Sequence, residues 1–410
     1  MKKATPAVCS SLSSFFDSPY KNQGSASFRA ALLLKEDFES SFNLLKGPGK
    51  MDTEARVGPD ISISTAIKGV AIILMVTHHC FGFPEWHIQG IDYSDTLILG
   101  APLSEWITYS THICVSLFAF LTGWAYSLKE KPSLKYSLVK IANFLKYYWF
   151  ILLIIFVPAA VLLSDYLPSA KDILLNMFAA RVDLVSFAWY VYFYIFVMLS
   201  LPFVTKVFNG RLLFDFCFSV AYCALLYKLL SRVTVFADSL TGGILNCLYW
   251  YPCVLTGYLF SKHDLFNRLH KHFAHPHKIL YFCTILLIMG CRLKWRRALG
   301  INLDIVYAPV IIYSLVMLLR DGAVIRKTLE FLGRHAMNIW FLHSIFFTPV
   351  LRPYIQKIAF LPRNPILVVL WVILLCLPLS IAVNFIFRQQ EKLFRRLKDK
   401  IRKKETASTV

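Results

Sequence analysis

Residues 61–83, which begin ISISTAIKGVAIILMVTHHCF, form an apolar run with a lysine near one end and two histidines near the other. A helix needs about 20 residues to cross the hydrocarbon core of a bilayer. An ionisable side chain inside such a span is costly and points to function. In a helix, Lys68 and His79 lie within about 20° of one face and roughly 16 Å apart along the axis, whereas His78 points about 80° away. We therefore interpret this helix as the spine of a membrane-embedded active site.

The rest of the chain is also strongly apolar. Of its 410 residues, 57% are hydrophobic and only 17% are charged, whereas about a quarter are charged in a soluble globular protein. The apolar residues fall into blocks of about the length of a membrane span. The candidate spans are 61–83, 106–128, 143–163, 184–205, 212–230, 242–260, 278–291, 303–319, 336–355 and 365–387. The predicted fold class is all-α, a polytopic transmembrane helical bundle of about ten spans.

The positive charges indicate how the chain is oriented. The net charge is +20, but the basic residues lie mainly between apolar blocks, as the positive-inside rule describes, so they do not indicate nucleic-acid binding. The basic connectors are 129–140, 206–211, 261–278 and 320–334. We expect a multi-pass protein of the plasma or inner membrane, in contact with membrane lipid, with both termini cytoplasmic. One segment, Arg292–Arg297, is basic although it falls in an outer loop. Either a span is miscounted there or these cations hold an anionic substrate.

The sequence divides into three segments. Residues 1–60 form a polar lead, which we expect to be disordered or to lie on the membrane surface. Residues 61–387 form the transmembrane domain, and 388–410 form a basic cytoplasmic tail. Translation could start at Met1 or at Met51, and the lead lacks the apolar core of a cleavable signal.

No metal site is expected. The ten cysteines show no CxxC pair or metal-ligand spacing, so buried inert thiols are the better interpretation. A run of histidines in one connector resembles a metal-binding tract, but it has no carboxylate or cysteine partner, and a solvated basic loop is favoured. These histidines are His263, His270, His272, His275 and His277. Motifs of soluble nucleotide-binding enzymes and hydrolases are also absent.

Two residues of the first span are the catalytic candidates. His79 has the side chain best suited to act as a general base near neutral pH, although helix packing alone could also explain a buried histidine. Lys68 could simply extend to the cytoplasmic interface. In the second span, His112 comes at a depth similar to that of His79, while Thr122 and Ser116 are typical of close helix packing.

Other candidates would serve in binding. Lys140 and Lys146 are either ordinary positive-inside charges or point charges for the phosphates of a cytoplasmic nucleotide-like donor. Trp189 and Tyr190 belong to an aromatic cluster that could equally be an interfacial belt. His343 is placed deep within the ninth block.

Four segments together resemble the acyltransferase-3 family of integral membrane acyltransferases. Lys68-GVAIILMVTH-His79 resembles the family's opening motif, and VSLFAFLTGW is similar to its "lFFxlSGf" element, with Thr122 at the usual serine. AWYVYFYIF resembles its "WYL" segment, and LGRHAMNIWFLHSIF resembles its late "G-x-x-S-x-x-I-Y-x-x-H" segment, with His343 at the histidine. The family often carries an aspartate three residues before the basic position, where this chain has Thr65.

The resemblance implies transfer of an acyl group, commonly acetyl, from cytoplasmic acyl-CoA such as acetyl-CoA to a hydroxyl of a carbohydrate or lipid-linked acceptor. It implies that Lys68 lies on the donor side and that His79 acts on the acceptor hydroxyl or transiently carries the acyl group. The alternative is a transporter or flippase for a glycan or small solute, because interior histidines also suit proton-coupled transport. Transporters often contain two related halves, and no internal repeat is evident in this sequence.

Overall fold

The computed structural model describes residues 57–93, 97–98, 101–129, 133–233, 238–274, 277–299 and 303–407. Most of the predicted lead, including both possible start positions, therefore lies outside the described residues. The described chain is a bundle of α-helices with one pair of two-residue strands, β1 (Leu97–Ile98) and β2 (Ala101–Pro102). The all-α prediction is confirmed.

The helices follow the apolar blocks of the sequence. The first six are α1 (Ile61–Phe81), α2 (Leu103–Thr111), α3 (Ile113–Ser127), α4 (Leu134–Ile151), α5 (Val157–Ser164) and α6 (Ala170–Met177). The next five are α7 (Trp189–Val207), α8 (Leu212–Val233), α9 (Asp238–Lys262), α10 (Leu265–Phe273) and α11 (Lys278–Leu299). The last four are α12 (Asp304–Arg320), α13 (Ala323–His343), α14 (Arg352–Ala359) and α15 (Pro365–Ala407). A π-helical turn, Leu152–Phe156, joins α4 to α5.

Among the described residues, five helical segments are long and apolar enough to cross a membrane. They are Ile61–Phe81, Leu134–Ser164, Trp189–Val207, Leu212–Leu229 and Pro365–Leu397. The remaining predicted spans also overlap helices, and one of these, α12, is one residue shorter than an 18-residue span. The count of about ten spans stays a prediction.

Three predicted boundaries are wrong. The second span is interrupted at His112, which separates α2 from α3. The span predicted at 336–355 is the helix α13, which begins at Ala323 and ends at His343 before a 3-10 turn, Ser344–Phe346. The predicted outer loop that begins at Arg292 is instead the last part of α11. The helix α15 extends through most of the predicted tail, to Ala407, and the division of the chain into lead, transmembrane domain and tail stays a prediction.

The sequence around α1 explains why the helix starts and ends where it does. The Asp60 carboxylate accepts a hydrogen bond from the Ile63 N–H at 2.7 Å, which caps an N–H group that has no partner inside the helix. Within the helix, the hydroxyls of Thr65 and Thr77 each donate to the carbonyl four residues earlier. These bonds give the two hydroxyls hydrogen-bond partners, which the apolar side chains around them cannot provide.

Two pairs of helices approach closely through glycine. A Cβ atom added at Gly69 of α1 would lie 2.1 Å from the Leu329 carbonyl oxygen of α13, and one at Gly333 would lie 1.8 Å from the Thr65 oxygen. In the same reciprocal way, Gly123 of α3 and Gly257 of α9 face each other's backbones. Only glycine permits this approach, which is common where helices pack in a membrane.

The first of these pairs determines where two histidines lie. Gly69 precedes His79 by ten residues, and Gly333 precedes His343 by ten residues. The two helices contact both at the glycines and at the histidines, so they run in the same direction. The lysine end of α1, near Lys68, is therefore level with the start of α13, and the histidine end of α1 is level with the end of α13.

Candidate active site

A pocket of about 120 Å³ lies at the histidine end of α1. Its walls come from α1, α3, α7, α13 and the segments that follow α1 and precede α7. The lining polar side chains include His78, His79, His112 and Ser186, and the aromatic ones are Phe83, Trp86, Phe187, Trp189, Tyr190 and Trp340. No aspartate, glutamate, lysine or arginine is among the described residues that line it.

His79 and His343 form a hydrogen-bonded dyad beside this pocket. The Nδ1 atom of His79 lies 2.6 Å from Nε2 of His343, and Nδ1 of His343 lies 2.9 Å from the Ile339 carbonyl oxygen. A carbonyl only accepts, so His343 Nδ1 carries hydrogen and, in the neutral ring, its Nε2 accepts from His79 Nδ1. This assignment leaves the lone pair of His79 on Nε2. The arrangement produces a nitrogen base whose ring is oriented by a second histidine.

The dyad is shielded from solvent. His343 is completely buried, and the ring of Phe187 stacks on that of His79 with their centroids 3.5 Å apart. The segment before α7 carries Phe187 to this position. It is held by the buried Asn176, whose side chain bonds Asp183 and the Leu184 N–H, and by Thr348, whose hydroxyl donates to the Leu184 carbonyl. Low local polarity strengthens the hydrogen bonds that the histidines make.

The segment after α1 forms the opposite wall. Phe83 stacks on Trp86 with centroids 4.4 Å apart, and Trp86 lies 5.8 Å from the ring of Phe187. The buried Gln356 of α14 bridges two backbone groups of this segment, because its oxygen accepts from the Ile88 N–H and its amide donates to the Trp86 carbonyl. The Gln356 side chain therefore binds one backbone N–H and one backbone carbonyl of the segment, as a neighbouring β-strand would, and holds the segment in place.

His87 belongs to the same wall but points away from the dyad. Its Nε2 atom lies 2.9 Å from the Cys80 carbonyl oxygen. Burial lowers the pKa of His87, against the opposing effects of this hydrogen bond and of Glu85. The imidazole is therefore neutral at neutral pH and serves to attach the segment to the end of α1.

His78 and His112 form a second pair in the pocket. Their rings stack with centroids 4.6 Å apart, and His78 Nδ1 lies 3.1 Å from the Thr108 carbonyl oxygen. His78 was expected to be only a neighbour of His79, yet it lines the same pocket. His112 stands at the interruption between α2 and α3.

Lys68 lies away from the pocket, at the other end of α1. It is half-buried, and among the described residues it makes no ion pair or hydrogen bond. Its charge and that of Lys140 are close enough to act on each other. Lys140 and Lys129 in turn lie 5.4 and 5.3 Å from the centroid of the Tyr136 ring, within the range of cation–π attraction. These residues make the lysine end of α1 a cationic region.

Aromatic rings connect this cationic region to the pocket. Tyr194 lies near Tyr136, and its ring is 4.5 Å from that of Phe144. Phe144 is 6.5 Å from the indole of Trp340, which lines the pocket. The rings thus mark a path between α4, α7 and α13 from the lysines to the histidines.

The predicted binding residues separate into two groups. The structure brings His112, His343, Trp189 and Tyr190 to the pocket or its dyad. Two others are engaged elsewhere. The Thr122 hydroxyl donates to the Phe118 carbonyl in its own helix, and Lys146 pairs with Glu391 of α15 at 3.4 Å.

The basic segment Arg292–Arg297, which departs from the positive-inside pattern, contributes one residue to a buried ion pair. Arg292 donates to both carboxylate oxygens of Asp304, at 2.7 and 3.1 Å, and Ser116 donates to one of them. Arg292 and Asp304 are almost completely buried. The pair joins α3, α11 and α12, so this arginine stabilises helix packing.

The predicted solvated histidine loop is also different in the structure. His263 is buried, and its Nε2 atom lies 2.9 Å from the Asp215 carboxylate. His270 contacts the hydroxyl of Tyr313 from within α10, and His275 lies outside the described residues. Within the described ranges, no group of three or more His, Cys, Asp or Glu side chains could hold a metal ion.

Sequence reasoning missed Phe187, Trp86 and Trp340 as parts of the pocket. Trp340 had a signal, since it stands three residues before His343 at the tyrosine position of the late motif. Phe187 directly precedes the aromatic segment that was singled out. Trp86 lies in a connector and had no local signal, because only the packing of α14 brings it to the pocket.

Comparison with known proteins gives one match. A family model described as an acyltransferase domain matches residues 63–385, which is most of the chain and includes every residue of the dyad and both glycine contacts between α1 and α13. No curated protein and no solved structure matches the chain. With the family model extending from the first membrane helix into the last, the chain belongs to the acyltransferase-3 family and is a membrane-associated acyltransferase.

Proposed function

We propose that this enzyme transfers an acetyl group from cytoplasmic acetyl-CoA to a hydroxyl of a cell-surface glycan or lipid-linked saccharide. The observation that carries the proposal is the chain of hydrogen bonds from His79 through His343 to the Ile339 carbonyl. These bonds leave the lone pair of His79 on Nε2, beside the pocket. The pocket lies at one end of α1, and the cationic region lies at the other end.

The reaction assigns one task to each histidine. His79 Nε2 takes the proton of the acceptor hydroxyl as the oxygen attacks the thioester carbonyl. The new C–O bond forms, the C–S bond breaks, and the CoA thiolate leaves and receives the proton from His79. His343 holds the ring of His79 and shares the positive charge while the imidazolium exists, because its Nε2 accepts from His79 Nδ1.

The lysine end of α1 suits the donor. Lys68, Lys140 and Lys129 supply positive charge, which attracts the phosphates of CoA. The helical rise separates Lys68 from His79 by roughly 16 Å, so an extended pantetheine arm running along the aromatic path would bring its thioester towards the histidines. Donor and acceptor then enter from opposite ends of α1.

The pocket suits an uncharged acceptor. Its described lining has aromatic faces and histidines but no carboxylate, ammonium or guanidinium group. A charged group placed there would lose its hydration without gaining a partner. The C–H faces of a neutral sugar ring can pack on flat aromatic side chains such as Trp86, while its hydroxyls bond to imidazole nitrogens.

The proposal is tested with membranes that contain the protein and acetyl-CoA labelled in the acetyl group. We expect label to pass from acetyl-CoA to glycan or lipid-linked material, and His79→Ala to reduce the rate by about 10²–10⁴-fold, the usual contribution of a general base. The matched control is His335→Ala, since His335 is buried and bonds Ser380 away from the pocket.

Two outcomes would contradict the proposal. Undiminished transfer by a folded His79→Ala variant would exclude the assigned role of this histidine. If wild-type membranes move a glycan across the bilayer but never consume acetyl-CoA, the transporter alternative would be correct.

A further inference from the structure

Phe187 stacks on His79 in an arrangement that neutral rings avoid. The two rings are parallel within 2°, and their centroids lie 3.5 Å apart. Packed carbon atoms are themselves about 3.5–4.0 Å apart, so the rings overlap face to face with almost no lateral displacement. Neutral aromatic rings prefer displaced or edge-to-face arrangements with centroids about 4.5–7 Å apart, because the negative faces of a direct sandwich repel each other.

The same phenyl ring also covers the second histidine of the dyad. The Phe187 centroid lies 5.4 Å from that of His343, and the two planes differ by 5°. Both imidazoles are therefore within about 6 Å of the centroid, the distance over which an aromatic face attracts a cation. A positive charge that is shared along the hydrogen bond between His79 and His343 stays within this distance on either ring.

The dyad needs such a partner while it is charged. In the proposed mechanism, His79 is an imidazolium from the moment it takes the proton of the acceptor hydroxyl until it gives that proton to the CoA thiolate. A buried charge without a partner is costly. His79 is buried, and no aspartate or glutamate is among the described residues that line the pocket. The stacked phenyl ring therefore supplies attraction where the described lining has no carboxylate.

Phe187 is held in position before the charge appears. The Ala188 N–H donates to the Val185 carbonyl at 3.0 Å, and the Ser186 N–H donates to the Thr348 hydroxyl at 3.4 Å. The residues on both sides of Phe187 are thus fixed, and its own ring is almost completely buried. A group that is already oriented needs no reorganisation when charge develops in the transition state.

We propose that Phe187 stabilises the protonated state of the His79–His343 dyad by a cation–π interaction and thereby raises the rate of acyl transfer. The inference rests on the proposed role of His79 as the base. It adds Phe187 as a positioning residue that acts through His79 and not on the substrate. An interaction that strengthens only as the charge forms raises kcat and leaves the binding of substrates unchanged.

The test changes the electrons of this ring while nearly keeping its shape. Phenylalanines that carry one, two or three ring fluorine atoms are incorporated at position 187 of the full-length protein, and membranes are supplied with labelled acetyl-CoA. Fluorine withdraws electron density from the ring face and so weakens its attraction for a cation. We expect the logarithm of kcat to fall in proportion to the number of fluorine atoms, by about tenfold for three, with the KM for acetyl-CoA unchanged.

Substitutions complete the comparison. Phe187→Leu keeps an apolar side chain but removes the aromatic face, and kcat should fall by about 10–30-fold. In a His79→Ala background no imidazolium forms, so the same substitution should not lower the residual rate further, as expected for two residues that act together. The matched control is trifluorophenylalanine in place of Phe120, which is also buried but packs against Phe260 outside the pocket. Its kcat should equal that of the wild type.

Two results would overturn the proposal. One is a kcat that stays constant across the fluorine series at position 187, which decides the question even if Phe187→Leu fails to fold. The other is a loss by the same factor in the wild-type and His79→Ala backgrounds, which would show that the ring acts on the substrate. If His79→Ala alone transferred acetyl at the wild-type rate, the role of His79 would itself be wrong, which is a separate failure of the proposed function.

Discussion

His343 is the residue whose role depends most on the structure. It accepts from His79 and donates to the Ile339 carbonyl, so it fixes which nitrogen of His79 carries hydrogen. A histidine in this place does what a carboxylate does in many catalytic dyads, but it brings no negative charge into a buried region. It is absent from the described pocket lining, so in the proposed mechanism it orients His79 from outside the pocket.

This role predicts how substitutions of His343 affect the rate. His343→Ala leaves His79 Nδ1 without an acceptor, and we expect kcat to fall by about 10²–10³-fold, within the range for a misplaced general base. His343→Gln retains an acceptor oxygen and should lose less. The KM for acetyl-CoA should stay nearly unchanged in both, because the proposed site for the donor phosphates lies at the other end of α1.

The control for this prediction is His335→Gln, a substitution of a buried histidine in the same helix whose partners are Ser380 and Asn384. It should leave kcat near the wild-type value. Steady-state kinetics with labelled acetyl-CoA measures the effect. A large rise in KM without a fall in kcat would show that His343 binds the donor instead.

At the scale of helices, the contact between α1 and α13 is what makes the dyad possible. Gly69 and Gly333 each lie against the backbone of the other helix, and each stands ten residues before a histidine of the dyad. In two parallel helices, residues that are the same number of positions apart are also the same distance apart along the helix axis. The glycine contact therefore sets the separation of the histidines, which lie about three turns beyond it.

This packing predicts that a single methyl group added at either glycine lowers both the stability of the protein and its kcat. In Gly69→Ala or Gly333→Ala, the new Cβ would lie about 2 Å from a carbonyl oxygen, so the helices must separate. We expect a loss of about 1–3 kcal/mol in stability, the usual cost of overpacking. We also expect a fall in kcat, since the hydrogen bond between the two histidines lengthens.

Gly290 of α11 supplies the control, because a Cβ there would meet nothing within 4 Å. Gly290→Ala should keep or slightly raise the melting temperature, as alanine is the better helix former. Thermal unfolding in detergent, followed by size-exclusion profiles, gives the comparison. If all three variants melted alike, the close contact of α1 and α13 would not be what holds the site together.

At the scale of the whole molecule, the parallel pairs constrain the path of the chain. The pair α1 and α13 runs in one direction, so the chain must cross the membrane an odd number of times between them, as it does in the predicted topology, where they are the first and ninth spans. From the positive-inside rule, we predict that the lysine end of α1 is on the cytoplasmic side. The connector 165–169 before α6 is then outside, and the turn at 208–211 between α7 and α8 is inside.

Protease sites inserted in these connectors test the topology. A site inserted after Leu167, which is 79% exposed, should be cut in right-side-out vesicles. A site inserted after Gly210, where the backbone has a positive φ and open space, should be cut only in inside-out vesicles, as should a tag at either terminus. Cutting of both loops from the same side would contradict the predicted orientation.

Much of this could be predicted because the signals are local. The apolar blocks identify most helices, since a span needs about 20 apolar residues, and the motifs point to His79 and His343. The ends of α13 were placed wrongly because Arg326, Lys327 and Arg334 made its first half look like a connector. The break at His112 was missed because residues 106–128 were treated as one apolar block, although the part before His112 contains more polar residues than the part after it.

The sequence by itself determined the helical class, the membrane character, the family, and the cost of placing Lys68 and His79 in an apolar helix. These follow from composition and from spacing within one helix. Only the tertiary structure decided that His343 orients His79, that Arg292 pairs with Asp304, and that Phe187, Trp86 and Trp340 enclose the pocket. Those contacts join residues far apart in the chain, and they depend on how closely α1 and α13 approach at their glycines. The first helix thus carries the proposed base, and its hydrogen bond to His343 determines which nitrogen of His79 keeps a lone pair.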